Sequence, residues 1–175
     1  MSIGSITIAP AAAAHLGAIN DIYNHYVAAT AVTFDVEPKS MAWRREWFAR
    51  FQQRGRYRLL VATGEGGILG YTYSDRFRPR PAYEATVETS VYVAPEHVGR
   101  GVGSALALAL IRELETEDVH RACAGIAMPN PASVRLHERL EYRRVGYFSE
   151  QGRKFGRYWD VSWYERRFPD QPPVA

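Results

Sequence analysis

The run His97-Val-Gly-Arg-Gly-Val-Gly-Ser104 constrains this chain more than any other segment. It follows directly on Val87-Glu-Thr-Ser-Val-Tyr-Val93, which reads as a strand, and opens into Ala105-Leu-Ala-Leu-Ala-Leu-Ile-Arg-Glu-Leu114, which reads as a helix. A strand, a glycine-rich loop and a helix N-terminus in one place make an anion cradle. Glycine lets the backbone approach a ligand and reach positive φ, and the free N–H groups of a first helical turn carry partial positive charge. The loop is expected to grip a phosphorylated cofactor. Because Gly99, Gly101 and Gly103 alternate and no Lys-Ser/Thr pair follows, neither the dinucleotide spacing G-x-G-x-x-G nor the NTPase spacing G-x-x-x-x-G-K-[ST] fits. Taken alone, the same glycines need do no more than turn a strand into a helix.

A second element narrows the reading. Asn130-Pro-Ala-Ser-Val-Arg-Leu-His-Glu-Arg-Leu140 lies one short strand, Arg121 to Ala127, beyond the first helix. It resembles the N-x-x-S-x-x-[FL]-[YH]-E-x-x-G-[FY] signature of the GCN5-related N-acetyltransferase (GNAT) superfamily, and Gly101-Val-Gly103 resembles that superfamily's pyrophosphate loop. Tyr23-Asn-His-Tyr26, Phe34, Arg80-Pro-Ala-Tyr83, Val87 to Val93, Ser133 to Leu140, Lys154, Gly156 and Trp159-Asp-Val161 are similar to the phosphinothricin and methionine sulfoximine acetyltransferases. The resemblance runs from about Ile6 to Phe168. It implies an α/β GNAT fold: a mixed central sheet of about seven strands, splayed between the fourth and fifth, flanked by about four helices.

Size and composition agree with one enzyme domain over residues 1–175. At 175 residues and 46% hydrophobic, the chain can bury a core without disulfides or metal staples. The single cysteine, Cys123, sits in an apolar strand context and reads as a buried structural thiol rather than a nucleophile. No Cys/His cluster is present, so no metal is expected. Met1 to Pro10 has neither a basic nor a long apolar segment, and no stretch approaches membrane-spanning length, so a cytoplasmic protein is expected. The net charge of +3 combines 20 Arg and two Lys with 19 acidic residues, interspersed rather than gathered in a stripe. That dispersion argues against nucleic acid as partner and places most arginines on a solvated surface.

Periodicity supplies the elements. Ser5 to Ala9 is a first strand. Ala12 to Val27 is a helix with Leu16, Ile19, Ile22, Tyr23 and Tyr26 at helical spacing. Ser40 caps a second helix carrying Trp43, Trp47, Phe48 and Phe51, a stripe that reads as core. Arg58 to Thr63 and Ile68 to Asp75 are strands joined at Gly64-Glu-Gly-Gly67. Strand 85–93, helix 103–117, strand 121–127, helix 131–140 and strands near 142–149 and 157–166 complete a mixed α/β order.

Along the fourth strand Thr86, Glu88, Ser90 and Tyr92 share one face. A carboxylate in mid-strand is costly to bury unless it is paired or used. Glu88 is therefore the candidate general base, with pairing to an arginine or to Ser90 as the competing reading. Amine acetylation needs a base because an α-ammonium group has a pKa of about 7.7–8.0 and only its neutral form attacks a thioester. His137 lies one turn from Ser133, beside a packing stripe of Leu136 and Leu140. The resemblance implies a role for it at the departing thiolate or the incoming amine. Asn130 before Pro131 is also a standard helix start.

By the same resemblance, Val91, Tyr92, Val93, Gly99, Arg100, Gly101, Val102, Gly103, Ser104, Asn130 and Ser133 bind acetyl-CoA. Phe34, Arg78, Arg80, Tyr83 and Tyr92 bind a small amino acid or analogue such as phosphinothricin, methionine sulfoximine or methionine sulfone. The reaction is direct acetyl transfer to its α-nitrogen in a ternary complex, a detoxifying step that gives antibiotic or herbicide resistance. Two positions depart from the pattern: Val98 stands where the loop usually begins with Arg or Gln, and Glu141 where Gly usually follows the helix. Protein N-termini, polyamines or aminoglycosides remain as other acceptors, and a non-enzymatic acyl-CoA sensor as another class. Relatives commonly form homodimers, for which Trp159, Trp163 and Tyr164 offer a surface or, equally, core.

Overall fold

Leu59 and Val61 bury on one side of their strand and Leu60 and Ala62 on the other, so this strand lies inside a sheet covered on both faces. The computed structural model describes residues 6–169 and shows that sheet. Its strands are β1 (Thr7–Pro10), β2 (Leu59–Gly64), β3 (Gly67–Arg76), β4 (Thr86–Val93), β5 (Arg121–Ala127), β6 (Arg143–Lys154) and β7 (Arg157–Arg167), in the order β1-β2-β3-β4-β5-β7-β6. Helices α1 (Leu16–Ala29) and α2 (Met41–Phe48) cover the face bearing Leu59, Val61 and Tyr71. Helices α3 (Val102–Leu114) and α4 (Pro131–Arg139) cover the other. Along α3, Leu106, Leu110 and Leu114 are almost wholly inaccessible. Full burial of each contributes about 1.5–3 kcal/mol.

All pairs are antiparallel except β4 with β5, which is parallel and short. Only Thr86–Glu88 pairs with Arg121–Cys123. Beyond Glu88, β4 stays with β3 as far as Val93, while β5 stays with β7 as far as Ala127. The sheet therefore opens between its fourth and fifth strands, as expected.

Several boundaries move. Ser5 lies outside the described residues, and the first strand begins at Thr7. The first helix starts with a 3-10 turn at Ala13–His15, where the Ala12 N–H donates to His15 Nδ1 at 3.0 Å. Helix α3 ends at Leu114, three residues early. Strand β6 runs on to Lys154 through an irregularity between Phe148 and Gly152. The chain reverses at Phe155-Gly156, where φ is positive at both residues (54° and 75°), the backbone of a tight hairpin turn. Glu141 takes the left-handed φ of 61° that its position demands, and its carboxylate pairs with Arg166 at 3.0 Å.

One expectation about burial holds and one is corrected. Most arginines are exposed, with Arg44 and Arg58 as buried exceptions. Arg44 is 1% exposed, with its guanidinium 4.5 Å from the Trp47 ring centroid, 4.8 Å from Tyr23, and Nε donating to Asn20 Oδ1 at 3.1 Å. Arg58 is buried against Glu113 and Glu117 on α3 and the turn after it. The aromatic stripe of α2 is core only at Trp47, with Phe48 and Phe51 partly buried; Trp43 is 37% exposed. Among the described residues no helix is long and apolar enough to cross a membrane.

Candidate active site

The opening of the sheet places two concavities end to end. The first is a groove of ≈ 580 Å³ between the end of β4, the glycine loop and α4. Gly99 and Gly101 have φ of 79° and 85°, and Gly101 caps α3 with no side chain over the helix end. The first-turn N–H groups of α3 therefore open onto the groove. Gly103 lets α3 close on β4, since a Cβ there would lie 3.3 Å from Val93 Cγ2.

Of the residues expected to hold the cofactor, Val91, Val93, Gly99, Gly101, Gly103, Ser104, Asn130 and Ser133 line this groove. Arg100 does not, and Val102 turns its side chain into the core beside Leu106. Tyr92 faces the other way, into a second concavity. Asn130 caps α4, its Oδ1 accepting from the Ser133 N–H at 3.1 Å, and it also lines the groove.

The groove also contains side chains that sequence reasoning passed over. Tyr26 donates its hydroxyl to Val93 O at 2.7 Å and pins the end of β4. His97 lines the wall. So do Arg135 and Arg139, one turn apart on α4, with Leu136 between them. Leu136 therefore belongs to the groove and not to the packing stripe, which Val134, His137 and Leu140 form instead. Val98 lines the same groove and is 56% exposed, and the two arginines bring positive charge to that wall.

The second concavity, ≈ 450 Å³, is lined by Glu88, Arg78, Phe34, Tyr92, Tyr73 and Trp163 among others. Burial raises the Glu88 carboxyl above its ordinary pKa, the Arg78 guanidinium opposes this, and Asp75 adds to it. Arg78 stacks on Phe77, 4.5 Å from the ring centroid. Arg80 and Tyr83, expected in the pocket, stand outside its lining. Arg80 precedes and Tyr83 ends the Pro81–Tyr83 turn, and the Tyr83 ring meets Phe77 (5.9 Å), which meets Trp163 of the lining (6.1 Å). The loop between α1 and α2 forms the opposite wall, fastened by Tyr23, whose hydroxyl donates to Asp35 Oδ2 at 2.6 Å and lies 2.9 Å from Thr33 Oγ1.

Where the strands part, His137 looks into the gap with Thr89, Ser90, Gly125 and Asn130. Its Nδ1 is 2.8 Å from the Ser133 carbonyl oxygen. A carbonyl only accepts, so Nδ1 carries the proton and Nε2 of the neutral ring is left as an acceptor. Burial lowers the His137 pKa and the Ser133 carbonyl raises it by less. Cys123 is half-buried rather than fully buried, and burial pushes its thiol up to about 11, which makes it a poor nucleophile. Among the described residues no group of three or more His, Cys, Asp or Glu is arranged to hold a metal ion.

Comparison with known proteins gives this arrangement a family. Residues 10–163 match the model described as Acetyltransferase (GNAT) domain. The phosphinothricin N-acetyltransferase of Streptomyces coelicolor is 52% identical over 163 residues, covering 92% of this chain and 95% of that protein. The L-methionine sulfoximine/L-methionine sulfone acetyltransferase of Pseudomonas paraeruginosa is 36% identical over 162 residues, covering 92% and 94%. The crystal structure of a phosphinothricin acetyltransferase from Sinorhizobium meliloti in complex with acetyl-CoA superposes with a TM-score of 0.89 at 33% identity, covering 93% of this chain and 88% of that one. With its splayed seven-stranded sheet and its glycine loop on the N-terminus of α3, the chain belongs to the GNAT acetyltransferase family.

Proposed function

We infer that the chain is an acetyl-CoA-dependent N-acetyltransferase acting on the α-amino group of a small amino acid or analogue, of the class of phosphinothricin, methionine sulfoximine and methionine sulfone. The observation that carries the reading is that the phosphate-suited groove and the carboxylate-bearing cavity share a wall at Val32 and meet beside Tyr92 at the opening of the sheet. One side suits a long phosphorylated donor and the other a short zwitterion. Names of relatives support the same acceptor class.

Bound acetyl-CoA supplies an activated acyl thioester. Phosphate charge is received by the α3 N-terminus, by His97 and by Arg135 and Arg139. Arg78 pairs with the acceptor carboxylate through its planar fork. Glu88 takes the proton from the α-ammonium group, and burial has raised its carboxyl toward the range where that transfer is efficient. The amine nitrogen then bonds to the acetyl carbon and the carbon–sulfur bond breaks, without a covalent acyl-enzyme; backbone N–H groups at the opening stabilise the oxyanion. His137, neutral with Nε2 free, accepts a proton from the reacting amine and can return it to the departing thiolate.

The protein functions as a single domain over 1–175 in the cytoplasm, inactivating toxic amino-acid analogues. It pairs as a homodimer through the β6–β7 face, where Val145, Tyr147, Phe155 and Tyr158 are each more than half exposed. That surface lies beside the aromatics first considered for it, since Tyr164 is core and Trp163 lines the cavity.

Thiol release from acetyl-CoA, measured against a panel of methionine sulfoximine, phosphinothricin, methionine sulfone, ordinary amino acids, spermidine and an N-terminal peptide, tests the reading. Turnover concentrated on the first three is the expected result. Turnover on the peptide or spermidine instead would move the acceptor, and tight acetyl-CoA binding with no turnover would favour a sensor. Arg139→Ala is expected to raise the KM for acetyl-CoA about three- to tenfold at low salt and less at high salt, the behaviour of one partly screened charge.

A further inference from the structure

Strand β6 loses register with β7 between Phe148 and Gly152. Within that irregularity Glu150 takes a φ of 52° and donates its N–H to Asp160 Oδ1 at 2.7 Å. A bulge next to a site re-aims the side chains around it. Here Gln151 faces the acceptor cavity, and Gly152 comes to lie behind the ring of Phe34. A Cβ built on Gly152 would stand 2.6 Å from Phe34 Cζ and closer still to Cδ2 and Cε2, so no other residue fits while that ring stays in place. Phe34 lines the cavity and Gly152 does not, which puts the ring between the two. Two residues on, Lys154 is 4% exposed and donates Nζ to the Thr33 carbonyl at 2.8 Å, tying the backbone beside Phe34 to the same strand.

We propose that Gly152 is the specificity-setting socket of the acceptor site: the bare backbone at Gly152 seats the Phe34 ring, Lys154 holds the loop onto it, and the depth of that seat limits the acceptor side chain that fits. The proposal rests on the amino-acid acetyltransferase reading. A methyl group at 152 pushes the ring from behind, into the space the acceptor uses. Removal of the ring opens the cavity as far as the Gly152 backbone. Gly152 touches Phe34 and acts through it, so it is a positioning residue.

The test is a double-mutant cycle of Gly152→Ala and Phe34→Ala on the full chain, read by melting temperature and by kcat/KM for methionine sulfone and for phenylalanine. Gly152→Ala alone should lower kcat/KM for methionine sulfone by about tenfold or more, chiefly through KM, as expected for a site overfilled by one methyl. The KM for acetyl-CoA should stay unchanged, because the groove lies beyond Val32. Phe34→Ala should shift the ratio of the two substrates toward phenylalanine. In the Phe34→Ala background, adding Gly152→Ala should cost almost nothing in either kcat/KM or melting temperature, since the ring it meets is gone.

Equal losses from Gly152→Ala in both backgrounds would overturn the socket, and so would an unchanged substrate ratio in Phe34→Ala. The melting-temperature cycle needs no turnover. If the unmodified protein acetylates no amino acid, the functional reading fails by itself, and the melting-temperature coupling still decides whether Phe34 seats on Gly152.

Discussion

Glu88→Gln is expected to lower kcat by about 10²–10³ while leaving acetyl-CoA affinity intact, the scale on which a positioned general base contributes. Glutamine keeps the size of the side chain and removes both its negative charge and its ability to take a proton. The same substitution should stabilise the fold at neutral pH. Burial raises the folded-state pKa of Glu88 above the ordinary 4.5, so between the two values the folded protein binds more protons than the unfolded chain. Stability contributed by this group is therefore present at low pH and lost as pH rises through the folded value. At neutral pH the ionised carboxylate is a net cost, which Gln does not carry. Melting curves should show Glu88→Gln above the unmodified protein at pH 7.5, with the difference closing below pH about 4.5. Acetyl transfer by the unmodified protein should fall as pH drops through that raised value. An unchanged kcat would remove Glu88 from the chemistry, and a lower melting temperature at pH 7.5 would show that its charge is matched by Arg78.

Gly70→Ala should act on the same site through the frame. Gly70 pairs with Val93, and a Cβ there would meet Tyr92 O at 2.6 Å, Val93 Cα at 3.0 Å and Leu106 Cδ1 at 3.2 Å. Two of these atoms are backbone of the strand that joins groove to cavity, so no rotamer change relieves the clash. The cost is about 3 kcal/mol, at the upper end for an overpacked core, or a fall of about 6–12 °C in Tm for a domain this size. Tyr92 and Val93 move with the strand, so the KM for acetyl-CoA should rise with the loss of stability. Gly66→Ala, with open space at its Cβ, is the control. Equal melting temperatures for the two variants would mean that β3 and β4 part freely.

The sheet with its flanking helices and the groove were legible wherever one local pattern decided the outcome. Alternation put Glu88 and Tyr92 on one face of β4, the Asn130-Pro131 pair marked the start of α4, and alternating glycines marked the α3 terminus. The acceptor cavity was less so, because its walls come from segments distant in the chain. Phe34 was found by resemblance, but Tyr73, Gln151 and Val32 carry no local signal, and Arg80 and Tyr83 sit in a motif whose turn holds them out of the lining. Arg44 was hidden for a different reason: only tertiary packing surrounds a mid-helix arginine with Tyr23 and Trp47 rings. Arg135 and Arg139 were open to detection, since they recur at four-residue spacing beside Leu136 on a helix already placed at the cofactor. The β6 irregularity was not, because the strand was expected to end near residue 149, whereas it runs on through the irregularity to Lys154 and reverses at Phe155-Gly156.

Past Glu88, the side of β4 that turns toward β5 pairs with no strand, although it lies in the middle of the sheet. An unpaired strand flank is where another chain can add itself and start aggregation. Natural proteins usually shield such a flank with charge or a covering loop, whereas here the donor groove runs along it, so a bound donor would shield it. Bound donor is then expected to help keep the molecule monodisperse. By mass action, coenzyme A at 100 times its Kd adds about 2.7 kcal/mol to the folded state. Purified protein stored with the nucleotide should resist precipitation and slow amide hydrogen exchange at Val91 and Val93, and protein stripped of it should do neither.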